Sequence, residues 1–165
     1  MRRPIEVPAV LAVLAIGLGG CTAEREPDWL VLEEEAAAFV QTMTVRGDAH
    51  GAGSFRIDAA DPSASEDPSV SEGDGWNLSL GYDEPVRLEA VTVSCFGEGT
   101  ATVGYMTRAG SSWVGGDDVE LACGGVPRTV EIPAEFGPVD EIVFDAALTD
   151  GAGGIVAAAV TRALE

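Results

Sequence analysis

The chain has 165 residues with a formal net charge of −19 at pH 7, from 9 basic and 28 acidic residues. Every basic residue is arginine, which excludes mechanisms that need a catalytic or phosphate-binding lysine. The negative charge repels a nucleic-acid backbone, so we expect no nucleic-acid partner. With 46% apolar residues, the chain is long enough for one domain with a substantial core.

Residues 1–20 have the anatomy of a signal peptide. Two arginines near the N-terminus precede an apolar stretch over residues 7–18, and Gly19-Gly20 then leads to Cys21. The apolar stretch is shorter than the ~20 residues that a membrane-spanning helix needs. We therefore expect a targeting segment and no permanent transmembrane helix there.

The sequence Leu18-Gly19-Gly20-Cys21 resembles the lipobox of bacterial lipoproteins, in which small residues precede an obligatory cysteine. The resemblance implies cleavage between Gly20 and Cys21 and attachment of a diacylglycerol to the Cys21 thiol. It also implies that the mature protein is tethered to the extracytoplasmic side of the cell membrane, since two acyl chains give stable anchoring. The alternatives are an ordinary secretory signal with an incidental Cys21, or a buried helix.

Residues 21–27 predict a short tether, and residues 28–45 predict an amphipathic helix. Asp28 can cap the helix, and three glutamates follow near its positive end. Apolar residues recur at helical spacing, namely Trp29, Leu32, Ala36, Val40 and Met43. This stripe either packs on the domain or docks a partner at the membrane.

Residues 46–75 are rich in Gly, Ser, Asp, Glu and Pro, and they predict an acidic loop or linker with at most one short strand around Ser54 to Ile57. The only histidine, His50, lies in this segment, where we expect nothing to hold it rigid. No Gly-x-Ser-x-Gly motif accompanies it, so we do not expect a serine hydrolase triad.

Residues 76–165 predict the folded domain, because apolar residues alternate there and turn residues recur regularly. The parity of the alternation shifts at Ala90-Val91, which predicts a β-bulge, and Phe96 to Gly99 predict a glycine turn. About seven short strands without intervening helices indicate a mainly β fold, an antiparallel β-sandwich of Ig-like or jelly-roll-like type. The first strand presents Trp76, Leu78, Leu80 and Tyr82, and later strands present Val103, Tyr105, Val119, Leu121, Val130, Ile132, Ile142, Phe144 and the run from Ile155 to Thr161.

Cys95 and Cys123 form an even pair once Cys21 is assigned to the lipid, which predicts a disulfide in an oxidising compartment. Closing a loop of this length stabilises a domain by ~3.5 kcal/mol on chain-entropy grounds. A redox pair would have closer spacing, such as CxxC, and two distant cysteines with a lone histidine do not make a zinc site.

The segments VTVSCFGEGTATVGY and VELACGG are similar to segments of small, uncharacterised lipoproteins of high-GC Gram-positive bacteria. In those proteins a C-x-G-x-G strand end is followed by a second cysteine, and the matching residues here are Cys95, Gly97, Gly99 and Cys123. The resemblance covers roughly the last half of the chain. It implies a β-rich domain and brings no known activity.

Trp113 is the best candidate for ligand contact, because its neighbours predict a loop and an exposed aromatic ring suits a glycan. A tryptophan that covers the edge of a sandwich core is the alternative. We expect no cofactor. Calcium is a weak alternative at Asp117, Asp118 and Glu120, or at Asp140-Glu141, and we favour solvated surface acids as the explanation of these residues.

The sequence contains no catalytic constellation. The leading hypothesis is a lipid-anchored extracytoplasmic protein with a non-catalytic binding or envelope role, whose partner is an envelope protein or a cell-wall glycan. The alternatives are a small hydrolase that uses a pair of acids, and a glycan- or solute-binding accessory protein. A pocket that holds two carboxylates of unequal pKa favours the hydrolase, and an exposed Trp113 beside a groove favours the accessory protein.

Overall fold

The computed structural model describes residues 26–47, 49–58 and 78–162. The predicted signal peptide, Gly20, Cys21 and Trp76 lie outside these ranges. The elements are α1 (Trp29–Val45), β1 (Ala49–Asp58), β2 (Leu78–Ala109), β3 (Ser112–Gly115), β4 (Val119–Gly124), β5 (Arg128–Glu131), a 3-10 turn (Ala134–Phe136), β6 (Pro138–Asp150) and β7 (Gly153–Arg162). In the ranges that the structure describes, no helix is both long enough and apolar enough to cross a membrane.

Helix α1 begins and ends where the sequence predicts. The carboxylate of Asp28 accepts a hydrogen bond from the Val31 backbone N–H at 3.5 Å, and the helix ends at Val45. Its apolar side packs on the sheet and does not stand free, and Ala36 is buried at the centre of this contact. The packed residues are Trp29, Leu32, Ala36, Phe39 and Val40 of the helix with Phe96, Ile155 and Ala157 of the sheet.

The seven strands form one antiparallel sheet that folds over into a β-sandwich-like arrangement, as predicted. Strand β2 makes this possible because it has 32 residues and takes part in both layers. The first layer contains β1, β7, residues 88–97 of β2, and β5. In the second layer, β6 lies between two parts of β2, residues 78–87 on one side and residues 100–109 on the other. Strands β3 and β4 pair with the far edge of residues 100–109.

Two bends redirect β2 between the layers. Leu88 lies opposite Arg162 and Ala90 opposite Thr161, so β2 uses an extra residue there. This confirms the predicted bulge. The predicted glycine turn is instead a corner within a continuous strand. Gly97 and Gly99 have φ angles of +132° and +94° there, which side chains with a Cβ rarely adopt.

The core lies between the two layers and contains the alternating residues that the sequence predicted. Strand β4 is typical, since Val119, Leu121 and Cys123 are buried while the residues between them are exposed. Strand β7 differs because α1 covers its outer face. Residues 153–160 are therefore all buried, which explains why they form a continuous run of small and apolar residues.

Strand β1 extends well beyond the short strand predicted at Ser54 to Ile57. It pairs with β7 from Ala49 to Asp58, so the sheet begins before the predicted boundary at residue 76. Its small residues resemble a loop in the sequence but are needed for close packing between layers. A Cβ on Gly53 would lie 2.7 Å from Leu78 Cδ1, which is closer than two carbon atoms can pack without a shift of one of them.

His50 is therefore part of β1 and not part of a loose loop. Its ring lies 5.1 Å from the ring of Tyr82, measured between centroids. Burial raises the pKa of the Tyr82 hydroxyl to about 12. Tyr82 packs against the core, as its place in the alternation of the first predicted strand indicated.

Candidate ligand-binding face

Three strands of the second layer bring Trp113, Arg108 and Glu141 side by side. Arg108 lies directly opposite Trp113 on β3 and directly opposite Glu141 on β6. Residues that face each other across neighbouring strands point to the same side of a sheet. Because the adjacent residues Thr107 and Ile142 are buried, the three side chains point away from the core. We call Trp113, Arg108 and Glu141 the Trp113 row.

Arg108 holds the row together. Its Nε and Nη2 atoms lie 2.9 and 2.8 Å from Oε2 of Glu141, and the Ser79 hydroxyl donates to the other carboxylate oxygen. The guanidinium carbon of Arg108 lies 5.8 Å from the centroid of the Trp113 ring, within the range of a cation–π interaction. The indole nevertheless stays 42% exposed. An exposed aromatic ring thus stands beside a fixed pair of hydrogen-bonding groups.

The sequence left two settings open for Trp113, an exposed ring or a ring over the core edge, and the structure leaves it 42% exposed. Its predicted loop setting was wrong. Trp113 lies in the edge strand β3 and not in a loop. Arg108 was not identified as a site residue, and Glu141 was considered only as a calcium ligand. Their sequence separation is 33 residues, so only the register between β2 and β6 brings them together. Correct alternation on both strands was the only available signal, and it does not specify which residues pair.

Two adjoining grooves open near the same end of the molecule. They have volumes of about 430 and 500 Å³, and both are lined by Glu89 and Glu131. Arg162 lines the first groove and Arg87 the second, so each groove has both acidic and basic groups in its lining. Arg87 pairs with Pro138, which precedes Glu141 of the Trp113 row by three residues on β6, a distance of ~10 Å. Nothing local in the sequence marks these grooves.

A pair of aspartates approaches the same outer face further along β2. A Cβ on Gly104 would lie 2.5 Å from Oδ1 of Asp145 and 3.2 Å from Oδ1 of Asp118, so the missing side chain provides the space for both carboxylates. Gly104 lies directly opposite Asp145 in the sheet and four residues before Arg108, which places the pair ~13 Å from the Trp113 row.

The aspartates differ in their surroundings. Burial raises the pKa of the Asp145 carboxyl above its ordinary value, and the nearby charge of Asp118 raises it further, against a lowering by a backbone hydrogen bond. Burial also raises the pKa of the Tyr105 hydroxyl, with a smaller contribution from Asp117. Asp145 therefore holds its proton more readily than an isolated aspartate, which is the property expected of one member of an acid pair.

The weak calcium candidates do not form a binding cluster. Asp117 and Asp118 lie in the exposed connection before β4, and Glu120 lies in β4 itself with an exposed side chain. Across residues 26–47, 49–58 and 78–162, no group of three or more His, Cys, Asp or Glu side chains is arranged to hold a metal ion.

The predicted disulfide is present. Cys95 of β2 and Cys123 of β4 are bonded with an S–S distance of 1.97 Å, and both residues are buried, at 0% and 2% exposure. The bond joins the middle part of β2 to a strand of the second layer. Its position within the core fits a structural crosslink and gives an incoming thiol no direct access to the sulfur atoms.

No known protein-family model matches this chain, and no curated protein sequence matches it significantly.

Proposed function

We propose that the chain is a lipid-anchored extracytoplasmic protein whose β-sandwich binds a ligand through the Trp113 row, without catalysis. The observation that supports this most is the 42% exposed indole of Trp113 held beside Arg108 and Glu141. A sugar ring has an apolar face that stacks on an indole and hydroxyl groups that suit a guanidinium and a carboxylate. A cell-wall glycan is therefore the ligand class that this surface fits best.

The anchor is proposed from the sequence around Cys21. The glycines before Cys21 and the apolar stretch before them match a lipobox. The net charge of −19 repels anionic headgroups, so the proposed lipid has to supply most of the membrane affinity. The disulfide between Cys95 and Cys123 fits the same oxidising side of the membrane.

Ligand binding is tested by thermal unfolding of residues 22–165 with a panel of cell-wall glycans. A ligand at a hundred times its Kd stabilises the folded state by ~2.7 kcal/mol, which raises the Tm by several degrees. We expect Trp113→Ala to abolish this shift, whereas Val126→Ala retains it, because Val126 is 72% exposed and lies outside the row. A glycan shift that survives in Trp113→Ala, or no shift with any glycan, refutes the assignment, and the latter result favours a protein partner.

The anchor is tested separately by Cys21→Ala in the full chain. We expect this variant to accumulate as unprocessed precursor or to leave the membrane fraction. Normal lipid labelling of the variant refutes the assignment of Cys21.

A second candidate function is an acid-pair hydrolase, which the raised pKa of Asp145 beside Asp118 favours. In that case Asp145 supplies a proton to a leaving group, and Asp118 is the second carboxylate of the pair. The test is release of reducing ends from any glycan that produces a thermal shift. Turnover that Asp145→Asn removes while the shift persists supports the hydrolase, whereas binding without products supports the non-catalytic proposal.

A further inference from the structure

The end of helix α1 nearest the proposed anchor has apolar side chains that do not pack into the core. Leu30 is 78% exposed and Val31 is 49% exposed, whereas Trp29 and Leu32 on the other side of the helix pack on the sheet. Next to them is a groove of about 250 Å³. Its lining combines the apolar residues Pro27, Val31 and Leu32 with the acids Glu26, Asp28 and Glu98. Because Val31 is both exposed and part of the groove lining, the exposed apolar side chains of the helix adjoin this groove.

The chain length between Cys21 and this surface limits what can cover it. Five residues lie between Cys21 and Pro27, and the six steps from one residue to the next reach at most ~22 Å in any conformation. Helix α1 has 17 residues and extends ~25 Å further from this point. The exposed Leu30 therefore lies within reach of the lipid headgroups, whereas Val45 lies at the opposite end of the helix.

We propose that this end of the sandwich rests on the outer leaflet of the membrane, with Leu30 and Val31 in contact with lipid. This inference rests on the proposed anchor at Cys21. Glu26, Asp28 and Glu98 line the groove next to these apolar side chains, so the contact favours neutral headgroups and is opposed by an unscreened anionic leaflet.

The orientation has a consequence for the Trp113 row. Thr100 pairs with Asp150 at the membrane-facing end, and Arg108 lies eight residues further along β2, a distance of ~26 Å. The row and the grooves at Glu89 and Glu131 then lie on the side of the molecule that faces away from the membrane. That is where a ligand of the cell wall is accessible.

Photocrosslinking in membranes tests the contact. A benzophenone amino acid replaces Leu30 in the full chain, and in a matched control it replaces Val45, which is 77% exposed on the same helix. Isolated membranes are irradiated, and phospholipid attached to the chain is measured by mass spectrometry. We expect the yield of lipid adduct from position 30 to exceed that from position 45 by roughly fivefold or more.

Each outcome distinguishes the contact from the anchor. Equal lipid yields from the two positions, or crosslinks from position 30 to a protein or to a second copy of the chain, overturn the lipid contact and leave the anchor standing. Loss of the chain from the membrane fraction overturns both. In vesicles at low salt, a yield in phosphatidylglycerol as high as in phosphatidylcholine overturns the preference for neutral lipid.

Discussion

Removing the disulfide between Cys95 and Cys123 measures how much this crosslink contributes to the free energy of unfolding. The bond closes a loop with a sequence separation of 28, for which chain entropy gives ~3.5 kcal/mol of stabilisation. Domains of this size have a free energy of unfolding of ~5–15 kcal/mol, so the bond contributes a large share. Both sulfur atoms are also in the core, so replacement by alanine adds a packing loss to the entropic effect.

The assay is urea unfolding of residues 22–165, followed by circular dichroism, for the wild type and the double variant Cys95→Ala, Cys123→Ala. This form lacks Cys21, so no third thiol complicates the comparison. We expect the urea midpoint to fall by roughly 2 M, given the usual dependence of unfolding free energy on urea. Wild-type protein unfolded and refolded with excess reductant is the control, since it loses the crosslink but keeps the sulfur atoms.

The two samples separate crosslinking from packing. We expect the reduced wild type to lose nearly as much stability as the double variant. If both lose less than ~1 kcal/mol, the entropic reasoning is wrong. If only the double variant is destabilised, core packing of the sulfur atoms and not the crosslink is what stabilises the domain.

Three further changes test individual sites. Gly116→Ala should lower the free energy of unfolding by ~1–3 kcal/mol, because the added Cβ would overlap the Tyr105 ring. Gly115→Ala is the control, since its Cβ meets only a methionine carbon at 3.8 Å. Equal losses of stability in urea unfolding contradict this reasoning. The pKa of Asp145 is higher in the folded state than in the unfolded chain. At pH values between these two pKa values the folded state retains a proton that the unfolded chain has lost, so the free energy of unfolding falls as the pH rises through this range. Asp145→Asn should therefore raise the Tm at pH 7 and lose this advantage below pH ~3.5, and a pH-independent difference refutes the reasoning. The Tyr82 hydroxyl is buried without a hydrogen-bond partner in the described ranges, so Tyr82→Phe should leave stability unchanged or raise it by up to ~1 kcal/mol, and a clear loss indicates a partner.

Sequence reasoning succeeded where a residue's role depends on its immediate neighbours. The cap at Asp28 fixes the start of α1 because the carboxylate bonds to a backbone group three residues away. The shift in alternation at Ala90-Val91 marks the bulge because each strand residue alternates sides with the next. The pairing of Cys95 with Cys123 followed once Cys21 was set aside.

The same reasoning failed at β1 for a physical reason. Small residues are typical of loops, but in β1 they allow the layers to approach, as the contact between Gly53 and Leu78 shows. A glycine that is required by a distant leucine gives no local pattern. His50 was placed in a loop for the same reason, although it lies in a strand against Tyr82.

The strand-rich composition, the helix at residues 28–45 and the candidate disulfide could be predicted from the amino-acid pattern, because alternation, capping and cysteine number are local or countable properties. The position of Trp113 beside Arg108 and Glu141, and the approach of Asp118 to Asp145 across Gly104, could be found only in the folded chain. Those neighbours come from strand register, which the folding of β2 across both layers sets over long separations in the chain.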